Sequence, residues 1–371
     1  MVVTGVRVDC FRSIEGVSMD LGENVTAVHG PNGSGKTNLT EALYFAFTSR
    51  SFRTTDRRDL VPFGGNLARV RAGVTDDDVT HEFMCSYGRE EGSRSFLDGA
   101  PASREDSSPF RPAITVFSPD RLEIVKGPPA VRRSHLDAFV AARWPSRSGL
   151  RSEFGRSLAQ RNALLSAVAE GSSSPGQLDT WDLQLASIGA KLASARQEAV
   201  SELTPAYRKA TLDLGLEGEN DLIYRASAGV EASSIAAGLG ERRDADIAAR
   251  RTTWGPHHDE LRLEHDGRQL RRFGSQGQQR LGLLSLMFAE RLALVGAGRP
   301  VPLMVLDDVM SELDSSRRER LVELLGTGGQ SLITAAEGSL IPDSPAVTRV
   351  SMLELLDAAS RNGSDDLKAD G

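Results

Sequence analysis

Gly30-Pro31-Asn32-Gly33-Ser34-Gly35-Lys36-Thr37 is the stretch whose reading decides the fold. It fits G-x-x-x-x-G-K-S/T, and its surroundings matter as much as its letters. The run Val25 to His29 before it reads as a strand, and Lys36 to Phe47 after it reads as a helix. Glycines let backbone N–H groups close around phosphate oxygens, and a helix start adds partial positive charge. Lys36 is placed to neutralise β and γ phosphates, and Thr37 to put its hydroxyl on Mg²⁺. The fold class is therefore α/β, with a phosphate loop that takes ATP and Mg²⁺.

A second half of the site lies far along the chain. Leu303-Met304-Val305-Leu306 is an apolar strand closing on Asp307-Asp308. Asp307 is placed to hold Mg²⁺, directly or through water, and Asp308 to orient or deprotonate an attacking water. Taken alone, such a pair serves equally well as solvated acids capping the next segment. Ser275-Gln276-Gly277-Gln278 opens a helix, where a serine hydroxyl and free N–H groups bind phosphate. In isolation a plain N-cap by Ser275 explains the same residues. Ser275, Gly277 and Gln278 stand as candidate nucleotide contacts, with Lys36, Asp307, Asp308 and Ser275 as the catalytic set.

Composition bounds the rest. The chain has 371 residues with 39% hydrophobic and 26% charged, ordinary for a globular protein of two domains. No apolar run reaches membrane-spanning length and the N-terminus has no leader pattern, which points to the cytoplasm. Cys10 and Cys85 are the only cysteines, and both read as buried reduced thiols in strands. The net charge of −7 speaks against nucleic acid, yet between Arg121 and Arg161 basic residues far outnumber acidic ones. Arg132, Arg133, Arg147, Arg151 and Arg156 are the candidate DNA contacts there. A solvated helix face is the competing account of the same charges.

The pattern along the chain gives four regions: 1–145 with the phosphate loop, 146–215 helical, 216–356 with the serine and paired-acid motifs, and a disordered tail 357–371. Val6 to Phe11, Val70 to Val74, Glu82 to Tyr87 and Ile114 to Phe117 read as strands. Leu150, Phe154, Leu158, Arg161, Leu165 and Val168 lie on one helical face. Leu178, Trp181, Leu185, Ile188, Leu192, Ala195 and Ala199 form a second seam, alternating steps of three and four. The polar turn between them makes an antiparallel helical hairpin. Leu261 to His265 and Gln269 to Phe273 read as a hairpin around Asp266-Gly267.

The order of these motifs, ending in Ser311-Glu312-Leu313-Asp314, resembles the ATP-binding-cassette ATPases of the SMC and Rad type. Within them it is similar to the bacterial recombination-mediator branch. The likeness covers nearly the whole chain. It includes Cys10-Phe11-Arg12, the run Asn38-Leu39-Thr40-Glu41 after the loop, Ser51-Phe52-Arg53-Thr54 and Phe117-Ser118-Pro119-Asp120. It continues through Arg132-Arg133-Ser134-His135-Leu136-Asp137, Gly255-Pro256-His257-His258-Asp259 and Ser275-Gln276-Gly277-Gln278-Gln279-Arg280.

The resemblance implies a two-lobed ABC-type ATPase head with an inserted helical hairpin arm. It also implies an ATP-dependent homodimer in which Ser275 of one subunit meets the γ-phosphate held by Lys36 of the other. The implied activity is a weak, DNA-stimulated ATPase at gapped single-strand/double-strand junctions, in the cytoplasm on the nucleoid. The implied partners are RecR and RecO, with loading of RecA as the outcome and no membrane involved.

Some residues depart from the cassette pattern. Asp308 stands where transporters carry Glu, and its shorter reach predicts slow turnover. Thr334-Ala335-Ala336 occupies the place of a histidine that senses γ-phosphate, and Phe117-Ser118-Pro119 has no glutamine. His257-His258 is a structural or DNA-facing loop rather than a metal site. Two other functions remain open at this stage: an ATP-gated DNA scaffold without significant hydrolysis, and an ATPase engine for a transporter or nuclease.

Overall fold

Apolar residues recur at nearly every second position from the N-terminus, and that period makes a sheet. In β1 (Val2–Phe11) the side chains of Val3, Val6, Val8 and Phe11 are buried, with a β-bulge between Val3 and Gly5. There follow β2 (Ile14–Asp20), β3 (Val25–His29), α1 (Lys36–Thr48), β4 (Leu67–Asp76), β5 (Val79–Gly88), β6 (Gly92–Leu97), β7 (Ala100–Pro101) and β8 (Ile114–Phe117). A largely helical stretch comes next: α2 (Glu123–Lys126), α3 (Pro129–Arg143), α4 (Leu150–Ala169) and α5 (Leu178–Asp213). It runs on through β9 (Asn220–Arg225), α6 (Ala232–Glu241), α7 (Arg243–Ala249), β10 (Glu260–His265), β11 (Arg268–Gln269), α8 (Leu270–Phe273) and α9 (Gln276–Gly296). The chain ends with β12 (Leu303–Leu306), α10 (Ser315–Gly326), β13 (Ser331–Ala335), β14 (Val347–Ser351) and α11 (Met352–Ala369). The computed structural model describes residues 1–76, 79–103, 106–118 and 122–369. It forms two compact units, Met1–Arg121 with Pro300–Gly371, and Leu122–Arg299.

The first unit holds two sheets. One is antiparallel, of six strands in the order β2-β1-β4-β5-β6-β7. The other has five parallel strands in the order β14-β3-β13-β12-β8. Helix α1 has no exposed residue, and Leu39, Ala42, Leu43, Phe45 and Phe47 are fully buried. A helix of that kind belongs inside a core, and one hydrophobic cluster joins it to Val8 and Val70 of the first sheet and Val305 and Leu332 of the second. Strands β3, β13 and β12 are parallel neighbours, so their carboxyl ends open on one edge, the usual ligand-binding edge of such sheets.

In the second unit α4 and α5 pack as the expected hairpin, with Leu178, Leu185, Ile188, Leu192, Ala195 and Ala199 of the seam buried. The hairpin lies inside a larger compact unit. Helix α5 also lies against α9, β9 and α6, because its opposite faces are apolar too, so the unit extends over 122–299. Two of the arginines buried in this unit bind it together through aspartates. Arg161 lies between Asp182 and Asp246, at 2.7 Å from each, and also reaches Thr252. Arg196 makes a two-pronged pair with Asp137 and reaches Asp259 at 3.2 Å. Such pairs are costly to break, since one partner would be left charged and dry.

Several expectations need correcting. Cys10 is exposed: its φ of +58° turns it outward while Phe11 takes the inward position. Only Arg268–Gln269 pair as the second arm of the hairpin, and Leu270–Phe273 coil into a helical turn. A continued strand would have turned Arg272 to the side of buried Leu270; the helical turn leaves both Arg271 and Arg272 exposed. The segment expected as a disordered tail, 357–371, continues helix α11 through Ala369, and Leu355 and Leu356 just before it pack on the core. Pro119, Asp120, Arg121 and the last two residues lie outside the described residues.

Candidate nucleotide site

The loop from Gly30 to Thr37 joins the end of β3 to the start of α1. Gly33 and Gly35 have φ of +81° and +98°, a left-handed backbone that favours glycine. A Cβ on Gly35 would also press on Met352, which with Ile14 backs the loop from inside the unit. Lys36 is buried and turned onto its own loop, its Nζ donating to the carbonyls of Gly30 at 2.7 Å and Pro31 at 2.9 Å. Burial pushes the Lys36 ammonium pKa down, while Asp308 and then Asp307 pull it back up. The hydroxyl of Ser34 is buried without a protein partner. A buried polar atom of that kind is costly unless something else bonds it, and a phosphate oxygen fits the position.

The paired acids arrive at the same edge from β12. Thr37 Oγ1 donates to Asp307, with oxygens at 2.9 and 3.2 Å. Thr334 at the end of β13 donates to the other side of Asp307 at 2.8 Å. The Thr334 hydroxyl accepts the backbone N–H of Asp308 at 2.8 Å, and Asp308 has the unusual φ of +51°. The Ser311 hydroxyl donates to the Asp308 carboxylate at 2.5 Å. Burial raises the Asp307 carboxyl pKa, the hydrogen bonds from Thr334 and Thr37 lower it, and Asp308 raises it further. A cation beside Asp307 would relieve that cost. Thr37 and Asp307 are hard oxygen donors of the kind Mg²⁺ takes alongside phosphate and water. No group of three or more His, Cys, Asp or Glu able to hold a metal by itself occurs among the described residues.

Sequence reading missed a second layer of this site. Glu41 of α1 is fully buried and bonds Arg12 at 2.5 and 2.8 Å, Ser51 at 2.5 Å and Arg53 at 3.3 Å. Arg53 also donates to Asn38, one residue past Thr37. These residues sat in motifs already singled out, but nothing in the one-dimensional pattern says that a glutamate inside an apolar helix gathers two arginines. Thr334 was noticed only for the histidine it replaces.

In the second unit Ser275 caps α9 with both bonds of a capping box. Its hydroxyl accepts from Gln278 N at 3.2 Å, and its own N–H donates to Gln278 Oε1 at 2.8 Å. Ser275, Gln276 and Gly277 are exposed, beside exposed Arg271, Arg272 and Phe273.

The candidate DNA contacts divide. Arg132 is buried, and its guanidinium is taken up by Glu260 and the carbonyls of Ile124, Val125 and Gly127, leaving no free face for a phosphate. Arg133 is half-buried and bonds the Asp259 carbonyl. Arg147 pairs with Glu198 and lies over the Trp144 ring. Arg151 and Arg156 are exposed. No helix among the described residues is long and apolar enough to cross a membrane.

The family model described as the RecF/RecN/SMC N-terminal domain matches residues 2–355. DNA replication and repair protein RecF of Streptomyces avermitilis is 35% identical, over 95% of this chain and 98% of that one. The protein of the same name from Anaeromyxobacter sp. is 36% identical, over 92% of this chain and 94% of its own. Among solved structures, the recombination mediator protein RecF with ATP in the RecFOR pathway superposes with a TM-score of 0.77 at 28% identity, covering 92% of this chain and 93% of that one. An SMC head bound to the C-terminal winged-helix domain of ScpA has a TM-score of 0.58 at 16% identity over 92% and 91%, a likeness of fold. The loop, the paired acids and the serine-capped helix thus occur in a chain whose match runs over residues 2–355: it belongs to the RecF family of DNA replication and repair proteins.

Proposed function

We propose that this chain is a DNA-repair ATPase that uses ATP to pair two copies head to tail on DNA gaps. The observation that carries the reading is the convergence on one sheet edge of Lys36, Thr37, Asp307 and Asp308 beside the partnerless Ser34 hydroxyl. When bound, Mg·ATP supplies the transferable phosphoryl group and the cation that offsets its charge. Lys36 leaves the carbonyls of Gly30 and Pro31 for the β and γ oxygens, and Thr37 with Asp307 holds the metal. Asp308 orients the water. Exposed Ser275 and the N–H of Gly277 meet the γ-phosphate of a second copy while Gln278 keeps the cap closed, so occupancy by ATP becomes a pairing signal. The Asp308 carboxylate must part from Ser311 before it can hold water, which supports slow turnover suited to a timed clamp.

The relatives' names support a role in DNA replication and repair and in a RecFOR pathway. As further parts of the proposal, the chain binds gapped junctions through Arg147, Arg151 and Arg156, works with RecR and RecO, and supports RecA loading. Phosphate release with and without gapped DNA tests the reading, alongside molecular mass with and without ATP. DNA-stimulated release that Asp307→Ala abolishes, with an ATP-dependent doubling of mass, supports it. Equal negligible release by wild type and variant would leave only the ATP-gated scaffold.

A further inference from the structure

The capped start of α9 is not held by its own residues alone. Behind it runs a chain of side chains whose donors and acceptors admit one polarity. It begins at Asn220 in β9, whose Nδ2 donates to the backbone carbonyls of Leu216 at 2.9 Å and Gly218 at 3.1 Å. A carbonyl can only accept, so the amide orientation of Asn220 is settled and its Oδ1 faces His265 Nδ1 at 3.0 Å. That nitrogen must carry the proton. The other ring nitrogen, Nε2, is then an acceptor, and it takes a hydrogen from Gln278 Nε2 at 3.1 Å. The Gln278 amide is oriented in turn, with Oε1 left to accept the N–H of Ser275 at 2.8 Å.

We propose that His265 is a positioning residue for Ser275: it sets which way the Gln278 amide points and thereby holds the serine cap ready for a phosphate. A glutamine in a capping box has two nearly isosteric orientations, and only one closes the box. In the flipped orientation the Gln278 NH₂ group would meet the Ser275 N–H, donor against donor. The lone pair of His265 Nε2 excludes that state. Packing holds the ring in place, since a Cβ on Gly218, whose φ is +98°, would lie 2.9 Å from His265 Cε1. Asp266 lies 3.6 Å from Nε2 and is largely exposed. It is an acceptor, and so gives no bond to a nitrogen that itself accepts.

The role in pairing rests on the proposed function above, so the test has one arm without nucleotide. Full-length wild type, His265→Leu and His265→Gln are compared by hydrogen exchange at the amides of Ser275 and Gln278 in the ATP-free protein. Leucine has no acceptor, whereas glutamine can present one where Nε2 was. About tenfold faster exchange is expected for His265→Leu, the scale of a lost N-cap, with most of the protection restored in His265→Gln. Equal melting temperatures for the two variants keep a folding defect from imitating this result. The second arm reads the ATP concentration needed for the mass shift, expected to rise several-fold for His265→Leu and to recover in His265→Gln.

Unchanged exchange in His265→Leu, or no recovery with glutamine, overturns the relay. Faster exchange with an unchanged ATP requirement overturns its role in pairing and leaves the proposed function standing. Absence of any mass shift in wild type defeats the proposed function itself, whatever the exchange arm shows.

Discussion

Thr37 and Asp307 are separated by 270 residues in sequence, and the hydroxyl of one lies 2.9 Å from the carboxylate of the other. The phosphate loop and the paired acids are thus already joined before any ligand arrives. Thr37→Ala removes one of the two side chains placed to hold a cation. Phosphate release at saturating ATP is expected to fall by about 100-fold, and raising Mg²⁺ should recover part of it. A variant that hydrolyses ATP at the wild-type rate would remove Thr37 from the metal.

Thr334 contacts both acids, donating to Asp307 and accepting from the backbone of Asp308. Thr334→Val keeps the volume and deletes the hydroxyl, leaving the Asp308 N–H without its partner at a cost of about 1–3 kcal/mol. Hydrolysis should drop about tenfold with ATP affinity nearly unchanged, and Thr334→Ser should retain activity. An equal loss in Thr334→Ser would shift the explanation from the hydroxyl to packing.

Asp308 reaches less far than glutamate by one methylene. Asp308→Glu is expected to speed single-turnover hydrolysis several-fold, because the longer side chain can hold water without drawing on the bond to Ser311. No acceleration would count against the slow-clamp argument.

The outward arginines have a signature of their own. Reversing Arg147, Arg151 and Arg156 to glutamate should weaken binding to gapped DNA and flatten its dependence on salt, while ATP binding stays intact. Unchanged DNA affinity would reassign that face to protein contacts or to solvent. Arg132 is unsuitable for this experiment, because reversing it would unpair Glu260 in a buried setting.

His257 gives a pH prediction. Burial pushes its pKa from the ordinary 6.5 to about 4; the hydrogen bond to the Thr252 carbonyl opposes this shift, while His258 and Arg133 add to it. Between those values the unfolded chain binds a proton that the folded chain refuses. The contribution to stability is therefore complete above pH 6.5 and is lost as pH falls toward 4, on the order of 1–3 kcal/mol. His257→Gln keeps a donor toward Thr252 and cannot titrate. Its melting temperature should fall less than that of wild type between pH 8 and pH 5, and parallel falls would refute the assignment.

The parts of the fold read correctly from sequence are those whose signal is local and periodic. Strands Val25–His29, Ile114–Phe117 and Leu303–Leu306 have the bounds expected of apolar runs between turns, and the α5 seam is buried at six of its seven positions. Strand β14 went unseen because Val347–Ser351 sits at a sheet edge with Thr348 and Arg349 exposed, so no apolar period announces it. The nucleotide loop was legible because its chemistry demands a fixed spacing. Glu41, Thr334 and His265 were not, since each acts on a partner brought close only by the fold. The basic stretch differs from its reading at Arg132 for a related reason: an arginine that staples two segments looks the same in sequence as one that faces solvent.

Strand order has a consequence for how this protein is made. The neighbours of β3 in its sheet are β13 and β14, and both lie beyond residue 330. A ribosome emits β3 and the loop it carries roughly 20 seconds before those partners, at typical rates of synthesis. During that interval the glycine loop hangs from an unpaired strand, although the residues from 122 to 299 can already fold among themselves. The sheet edge on which the loop meets the paired acids therefore exists only once β12 and β13 have been made, and a copy terminated before them lacks it.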